Sequence, residues 1–269
     1  MMSATIYRFE LRGRLRSALI WSGAVIAVIF TYLAFYPPLA DEAALMNRAM
    51  ANFPPQFLQA FGMQHMDWGS IMGFYSFVFL FVQVLLAVQA AGYGFGLVSV
   101  DETTFTADFL LTRPVARPRI LSGKLLAALT ALTITNAAAW AGSLAALNLF
   151  QAGRGYDAHA VLLLLGSIVI FQLFFLSAGL FLSLVVRVRS VPPYATGLAL
   201  GLYALGALSG ILGDVKLGWI SPFAHFEPNR IIETGAYDLP LAMISITVIV
   251  LALAGSFWRY QRRDIPAVA

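Results

Sequence analysis

The chain has 269 residues, of which 60% are hydrophobic and 11% charged; its mean hydropathy is +0.80 and its formal net charge +4. A water-soluble domain of this length could not carry so much apolar side chain on its surface, so the composition excludes one and indicates a membrane protein. The absence of cysteine excludes disulfides, Cys-based metal sites and thiol nucleophiles. The basic residues flank apolar runs, which argues against nucleic acid as a partner.

Six apolar runs are long enough to cross the roughly 30 Å hydrocarbon core of a bilayer as helices. They cover about residues 18–36, 71–98, 125–150, 160–186, 191–212 and 241–258. None of them alternates with a period of two, which excludes a transmembrane β-barrel. The pattern predicts an all-α membrane protein with six transmembrane helices in a single domain over residues 1–269.

The first apolar run follows a basic stretch. Residues 7–17 mix Phe9, Leu11 and Leu15 with arginines, which is typical of an interfacial helix along the inner leaflet. A plain basic flank of the first span explains the same residues equally well. The apolar run itself is too long for a cleavable signal, and we interpret it as the first span.

The basic residues predict the orientation of the spans. Of the 17 Lys and Arg residues, only Arg48, Arg154, Lys216 and Arg230 lie on the side opposite the termini. Cytoplasmic loops carry the excess of Lys and Arg, so both termini, residues 101–124 and the turn at 187–190 are expected in the cytoplasm. Residues 213–240 then lie outside, and their mixture of aromatic, apolar and Pro residues predicts short helices in the outer leaflet.

The predicted spans contain no Asp, Glu, Lys, Arg or His, whereas ion-coupled carriers usually place such groups inside the bilayer. The larger polar residues within the spans are expected to form hydrogen bonds between helices. They are Gln83, Gln89, Asn136 and Gln172. No catalytic or cofactor-binding residue is expected in this chain, because it has no GxxxxGK[ST] phosphate loop.

No metal site is expected either. His65, His159 and His225 all fall in the predicted outer loops, at spacings that do not gather them, and each is expected at the surface. Glycine patterns occur at residues 92–96 and in two GxxxG motifs, Gly197 to Gly201 and Gly206 to Gly210. Small residues at this spacing let two helices approach closely. The partner helix can belong to this chain or to a second copy.

One polar segment separates the second and third apolar runs. It reads DETTFTADFLLTRPVARPRILSGK from Asp101 to Lys124. Aromatic and leucine side chains recur in it at helical spacing before Pro114 and Pro118 interrupt the helix. This pattern predicts a short amphipathic helix followed by a rigid basic turn, suited to contact with another protein.

The same segment resembles the first cytoplasmic loop of ABC type 2 transporter permeases, with an acidic cluster, Gly-Thr, an acid, leucines, Pro-Val-Ser-Arg and a final Gly-Lys. The matching residues are Asp101, Glu102, Thr106, Asp108, Leu110, Leu111, Pro114, Val115, Arg117, Gly123 and Lys124. Ala116 replaces the Ser, and Phe105 stands where the family commonly has Gly. The ending Arg262 to Ile265 is similar to the family's Arg-Asp-Ile ending, and Ser221 to Phe223 is a weaker match.

The resemblance implies the permease subunit of an ABC transporter, in a family of mostly exporters, located in the plasma (inner) membrane. It implies a homodimer or heterodimer of permeases and two separate ABC ATPase subunits, which bind the ATP and Mg²⁺ that this chain does not. Residues 101–113 would form the cytoplasmic coupling helix between spans 2 and 3. The residues assigned to ATPase coupling are Asp101, Glu102, Phe105, Thr106, Asp108, Phe109, Leu110, Leu111, Arg113 and Arg117.

Several of these assignments have alternatives. The acidic residues would serve equally well as helix caps. For Arg113, Arg117, Arg119 and Lys124, anchoring to anionic headgroups of the membrane lipids is favoured over contact with the ATPase. The resemblance also implies that Gly197 and Gly201 face the second permease subunit.

Two other function classes stay open. A non-transporting scaffold or sensor would dock a cytosolic protein through the same segment. A secondary carrier is disfavoured by the charge-free spans. Spans rich in Phe, Leu and Ala suit an amphipathic or lipid-like cargo better than an ion or a sugar.

Overall fold

The structure of the protein, a computed structural model, describes residues 2–60, 63, 66–103, 116–212 and 215–262. All regular secondary structure in these ranges is helical. The helices are α1 (Met2–Ala34), α2 (Tyr36–Asp41), α3 (Ala43–Met50), α4 (Pro55–Ala60), α5 (Ile71–Thr103), α6 (Arg117–Phe150), α7 (Ala158–Val185), α8 (Val191–Leu212), α9 (Val215–Gly218), α10 (Pro222–His225), α11 (Pro228–Thr234) and α12 (Leu239–Arg262).

Six of these helices, α1, α5, α6, α7, α8 and α12, are long and apolar enough to cross a membrane. Each coincides with one of the six predicted spans, so the all-α architecture with six spanning helices is confirmed. The helices α1, α5 and α6 continue beyond the apolar runs at the end where the basic residues are concentrated.

The first and third long helices, α1 and α6, pack side by side in parallel. Near one end, the hydroxyls of Tyr7 and Thr130 lie 3.2 Å apart. Near the other end, the rings of Phe30 and Phe150 meet edge to face with centroids 6.1 Å apart. Successive spans cross a bilayer in opposite directions, so the first and third spans cross it in the same direction. The parallel packing of α1 and α6 agrees with this order.

The second and fourth long helices, α5 and α7, form a second parallel pair with a closer contact. A Cβ atom on Gly94 would overlap the carbonyl oxygen of Leu176, and one on Gly179 would lie 2.8 Å from the carbonyl oxygen of Ala91. These glycines let the two backbones touch, as the glycine pattern at 92–96 predicts. The last long helix joins this pair through the Arg259 Nε–H, which donates to the carbonyl oxygen of Leu184 at 2.8 Å.

The first helix differs from the prediction. It runs without a break from Met2 to Ala34, roughly 50 Å at 1.5 Å per residue. A separate interfacial helix over residues 7–17 is therefore not confirmed. The physical reason is that Tyr7 and Glu10 contact side chains of α6, and these contacts hold the first turns of α1 against the bundle.

Short helices fill both longer connections on the opposite side of the bundle. The three helices before α12 confirm the short helices predicted there, and their position in the outer leaflet stays a prediction. No helices were predicted between the first two spans, where α2, α3 and α4 lie. Pro37 and Pro38 are in the first turn of α2, where the missing backbone N–H costs no hydrogen bond.

Candidate functional site

The predicted coupling residues lie mostly outside the described residues. Those outside are Phe105, Thr106, Asp108, Phe109, Leu110, Leu111 and Arg113. Asp101 and Glu102 belong to the last turn of α5, and their side chains are outside the described part too. A coupling helix over 101–113 therefore stays a prediction, and its first three residues continue α5.

Arg117 and Arg119, at the start of α6, are described. The Arg117 guanidinium donates from Nη1 to the carbonyl oxygen of Gln261 at 3.4 Å. Gln261 is in the last described turn of α12. Arg117 thus links α6 to the end of the chain's last long helix. Arg119 is exposed, as a lipid-anchoring residue would be.

Lys124 lies at the centre of a buried polar cluster between three helices. Its ammonium Nζ donates to the carbonyl oxygen of Leu97 on α5 at 3.2 Å and lies 3.2 Å from Glu10 Oε1 on α1. Glu10 also accepts a hydrogen bond from Arg14 Nη2 at 2.9 Å, and the Arg14 guanidinium lies 5.7 Å from the centre of the Tyr93 ring. We call these five residues the Lys124 junction.

The prediction of a lipid anchor is wrong for Lys124. The side chain is only 2% exposed, since α1, α5 and α6 enclose it, and it cannot reach a headgroup. A buried ammonium requires a counter-charge, and Glu10 supplies it. Glu10 was not predicted as a partner of Lys124, because the two residues lie more than 100 positions apart in the chain.

Further along the helices, a polar network connects four spans. Gln89 Nε2 donates to Thr135 Oγ1 at 2.8 Å, and Gln172 Nε2 donates to Gln89 Oε1 at 3.4 Å. The Tyr93 hydroxyl donates to Ser17 Oγ at 3.2 Å. Hydrogen bonds of this kind hold transmembrane helices together where water is absent.

Interhelical hydrogen bonding is thus confirmed for Gln89 and Gln172. Gln83 also reaches beyond its own helix, since its Nε2 donates to the carbonyl oxygen of Phe226 at 2.8 Å. The prediction is not confirmed for Asn136, whose buried side-chain oxygen has no hydrogen-bond partner within the described ranges.

The two GxxxG motifs of α8 have different surroundings. A Cβ on Gly206 would lie 2.8 Å from Ser221 Oγ, so this glycine packs within the chain. Among the residues that the structure describes, none has an atom within 4 Å of a Cβ placed on Gly197 or Gly201. An exposed face runs along α8 through these two glycines, and we call it the α8 face. It consists of Gly197, Leu200, Gly201, Ala204 and Leu208.

A cavity of about 270 Å³ lies between α5, α8 and the short helices before α12. Its wall combines aromatic rings, among them Tyr203, Trp219 and Phe223, with polar side chains. Ser76 on α5 donates a hydrogen bond to Asn229 on α11, which closes one side of the cavity. A mixed apolar and polar lining suits an amphipathic molecule better than a bare ion.

His225 is the last residue of the short helix α10 and is buried, with 2% of its surface exposed. Its Nδ1 lies 2.6 Å from Ser245 Oγ, and its Nε2 lies 3.1 Å from the carbonyl oxygen of Trp219. Burial lowers the pKa of His225, although backbone hydrogen bonds and the charge of Asp238 oppose this shift. The surface prediction is therefore wrong for His225.

For the other two histidines, His159 is exposed as predicted and His65 lies outside the described residues. Within the described ranges, no group of three or more His, Asp or Glu side chains could hold a metal ion.

Comparison with protein families decides the class. The family model described as "ABC-2 family transporter protein" matches residues 4–265. The chain belongs to the ABC-2 transporter family. The match confirms the resemblance seen in the Asp101 to Lys124 segment, and it extends over nearly all of the chain. Comparisons with curated proteins and with solved structures gave no significant match.

Membership in the ABC-2 family gives the structure its functional class. With six long apolar helices, the protein is a multi-pass membrane protein. It is a permease subunit of an ABC transporter, the transmembrane component that associates with ABC ATPase subunits and is not an ATPase itself.

Proposed function

We propose that this ABC-2 permease is the transmembrane subunit of an exporter in the plasma membrane, with both termini in the cytoplasm. It works as a dimer of permease subunits. Two ABC ATPase subunits, which bind ATP and Mg²⁺, drive it through the coupling residues in segment 101–113. The observation that carries ATPase coupling is the Lys124 junction, which ties both sides of this segment to the bundle.

Two long helices, α5 and α6, flank the coupling segment closely. α5 continues to Thr103, and α6 begins at Arg117 with Pro118 in its first turn. A partner that displaces the segment between them therefore pulls on two long helices. The contacts of Lys124 with Leu97 and Glu10 then pass the displacement to α1.

The orientation of the protein is supported by its arginines. In the part of the chain that the structure describes, the exposed arginines at the end where the chain begins are Arg8, Arg12, Arg16, Arg119, Arg187, Arg189, Arg259 and Arg262. At the other end, the exposed basic residues are Arg48, Arg154, Lys216 and Arg230, of which Arg154 pairs with Asp41 at 3.1 Å and Arg230 with Asp238 at 2.6 Å. The larger positive charge marks the cytoplasmic side.

The dimer is supported by the α8 face. Helices associate in a membrane mainly through close packing, which small residues permit. Among the described residues, no atom lies within 4 Å of a Cβ placed on Gly197 or Gly201, and Leu200 and Leu208 beside them are 46% and 45% exposed. A second permease subunit packed on this face would bury all of them.

The cargo is proposed to be amphipathic. The spans lack charged groups in their apolar parts, and the cavity between α5 and α8 offers aromatic rings beside Ser76 and Asn229. Such a lining would hold the polar part of a lipid-like molecule on the outer side while its apolar part stays in contact with the helices.

Reconstitution tests this function. The permease is co-purified with its ATPase, placed in vesicles, and supplied with ATP and a panel of amphipathic cargos. An exporter couples hydrolysis to movement of one of these cargos. Hydrolysis without any movement would favour the scaffold or sensor alternative, and movement driven by a proton gradient without ATP would favour a secondary carrier.

A further inference from the structure

The first turns of α1 meet the two helices that flank the coupling segment at a single atom. Lys124 Nζ on α6 lies 3.2 Å from the carbonyl oxygen of Leu97 on α5 and 3.2 Å from Glu10 Oε1 on α1. We infer that Lys124 is a positioning residue which makes span 1 move together with spans 2 and 3 when the coupling segment is displaced. This inference rests on the proposed ATPase coupling.

The chemistry of the junction suits this role. An ammonium carries three N–H donors, so one Lys can bind a carbonyl and a carboxylate on two different helices at once. Removing the partner of a buried charge strongly destabilises the folded protein. Separating the three helices at this point would leave the buried Lys124 ammonium without its partners, and this cost keeps them together. The contact with Glu10 is an ion pair, which makes it the stronger of the two.

Glu10 is itself held in place by its own helix. Its second oxygen accepts from Arg14 Nη2 at 2.9 Å, one turn further along α1. The Arg14 guanidinium lies over the ring of Tyr93 on α5 at 5.7 Å, a cation–π contact. The carboxylate thus has one orientation, toward Lys124, and α1 contacts α5 at a second point. A rigid link transmits displacement, whereas a mobile side chain would absorb it.

A second ion pair provides a comparison. Arg154 and Asp41 lie 3.1 Å apart on the opposite side of the bundle, but the Asp41 side chain is 78% exposed. Exposed pairs contribute little because water and salt screen them. Asp41→Asn is therefore a matched control, since it removes an ion pair that has no part in coupling.

The first experiment needs only the permease. The chain has no cysteine, so Gly13→Cys on α1 and Ser122→Cys on α6, both at exposed positions, take spin labels selectively. In lipid nanodiscs, the distance distribution between the labels is expected to be narrow with Lys124 intact. Lys124→Met is expected to broaden it, whereas Lys124→Arg and Asp41→Asn leave it narrow.

A distribution that stays narrow in Lys124→Met would overturn the inference, whatever the permease transports. If Lys124→Met does not reach the membrane, Glu10→Gln makes the same test, because it removes the charge and keeps the shape of the side chain.

The second experiment uses the complex with the ATPase. In the parent complex, ATP is expected to change the distance from Gly13→Cys to a label at Leu45→Cys, an exposed position of α3 on the opposite side of the bundle and outside the cavity lining. In Lys124→Met this change is lost, and the ratio of cargo-stimulated to basal ATP turnover falls at least about fivefold, the low end of typical coupling free energies. Lys124→Arg restores both readouts.

The two experiments separate the possible failures. An ATP-dependent distance change that persists in Lys124→Met refutes the positioning role. A parent complex without any ATP-dependent change refutes the proposed function, while the result of the first experiment still decides whether Lys124 holds α1 to α6.

Discussion

Gly94 of α5 and Gly179 of α7 lie in one contact, each facing the backbone of the other helix. A Cβ on Gly94 would overlap the carbonyl oxygen of Leu176, and a Cβ on Gly179 would lie 2.8 Å from the carbonyl oxygen of Ala91. Backbone atoms cannot rotate away as a side chain can, so a single added methyl group must push the helices apart. This contact sets the distance between spans 2 and 4.

Gly94→Ala is therefore expected to destabilise the protein by about 1–3 kcal/mol, the usual range for overpacking. Thermal unfolding in detergent measures the change. Gly23→Ala on α1 is the matched control, because the added Cβ meets no atom of the described part of the chain within 4 Å and alanine favours a helix by about 1 kcal/mol over glycine. Equal shifts in the two variants would show that α5 and α7 are not in close contact.

Gly201→Leu is expected to weaken the permease dimer, since its larger side chain would prevent close packing on the α8 face. The monomer should keep its stability, because Gly201 is exposed and a Cβ placed on it meets no atom of the described residues within 4 Å. Crosslinking in the membrane, or mass measurement in detergent, reports the dimer fraction. Ala254→Leu, at an exposed position of α12, is the control. A dimer that survives Gly201→Leu and Gly197→Leu would place the interface elsewhere.

The stability of the protein should fall as the pH drops below about 6.5, the ordinary pKa of histidine. Burial lowers the pKa of His225 in the folded protein, so below that pH the unfolded chain takes up a proton that the folded one resists. Unfolding measured between pH 7.5 and pH 5 tests this expectation. His225→Gln should reduce the loss of stability at acidic pH, and His159→Gln, at an exposed site, should not. An equal loss of stability in His225→Gln and in the parent protein would assign the effect to other groups.

Ala207→Phe is expected to fill part of the cavity between α5 and α8. If the cavity holds the cargo, half-maximal stimulation of ATP turnover then needs about tenfold more cargo, which corresponds to about 1.4 kcal/mol. Val250→Phe, at an exposed position of α12, adds the same ring outside the cavity and should leave stimulation unchanged. An unchanged response in Ala207→Phe would remove this cavity from the cargo path.

Apolar length alone was sufficient to predict the six long helices, because only helices satisfy backbone hydrogen bonds in lipid. The polar residues inside them, such as Gln89 and Gln172, could also be expected to pair across helices. The partner of each residue depends on how the helices are arranged and on how each is rotated about its axis. The periodicity of a single sequence does not contain this information. Hence the pairing of Lys124 with Glu10 was missed, and a buried ammonium was taken for a lipid anchor.

The surroundings of the two GxxxG motifs could not be predicted from the sequence either. Gly197 with Gly201 and Gly206 with Gly210 are alike in sequence on one helix. Only the structure shows that Gly206 packs against Ser221 while Gly197 and Gly201 face outward. Similarly, a histidine outside the spans is usually exposed, but His225 ends the short helix α10 and is buried against Ser245 and Trp219.

Coupling to the ATPase is tested by adding a charge to the segment that would dock on it. Phe109→Asp is made in the complex, with Phe57→Asp as the control, since Phe57 is 42% exposed on the opposite side of the bundle. Buried aromatic anchors at interfaces contribute on the order of 2 kcal/mol, so cargo-stimulated ATP turnover should fall about tenfold or more in Phe109→Asp and stay constant in Phe57→Asp. Full stimulated turnover in a Phe109→Asp complex that still assembles would contradict the coupling role of residues 101–113.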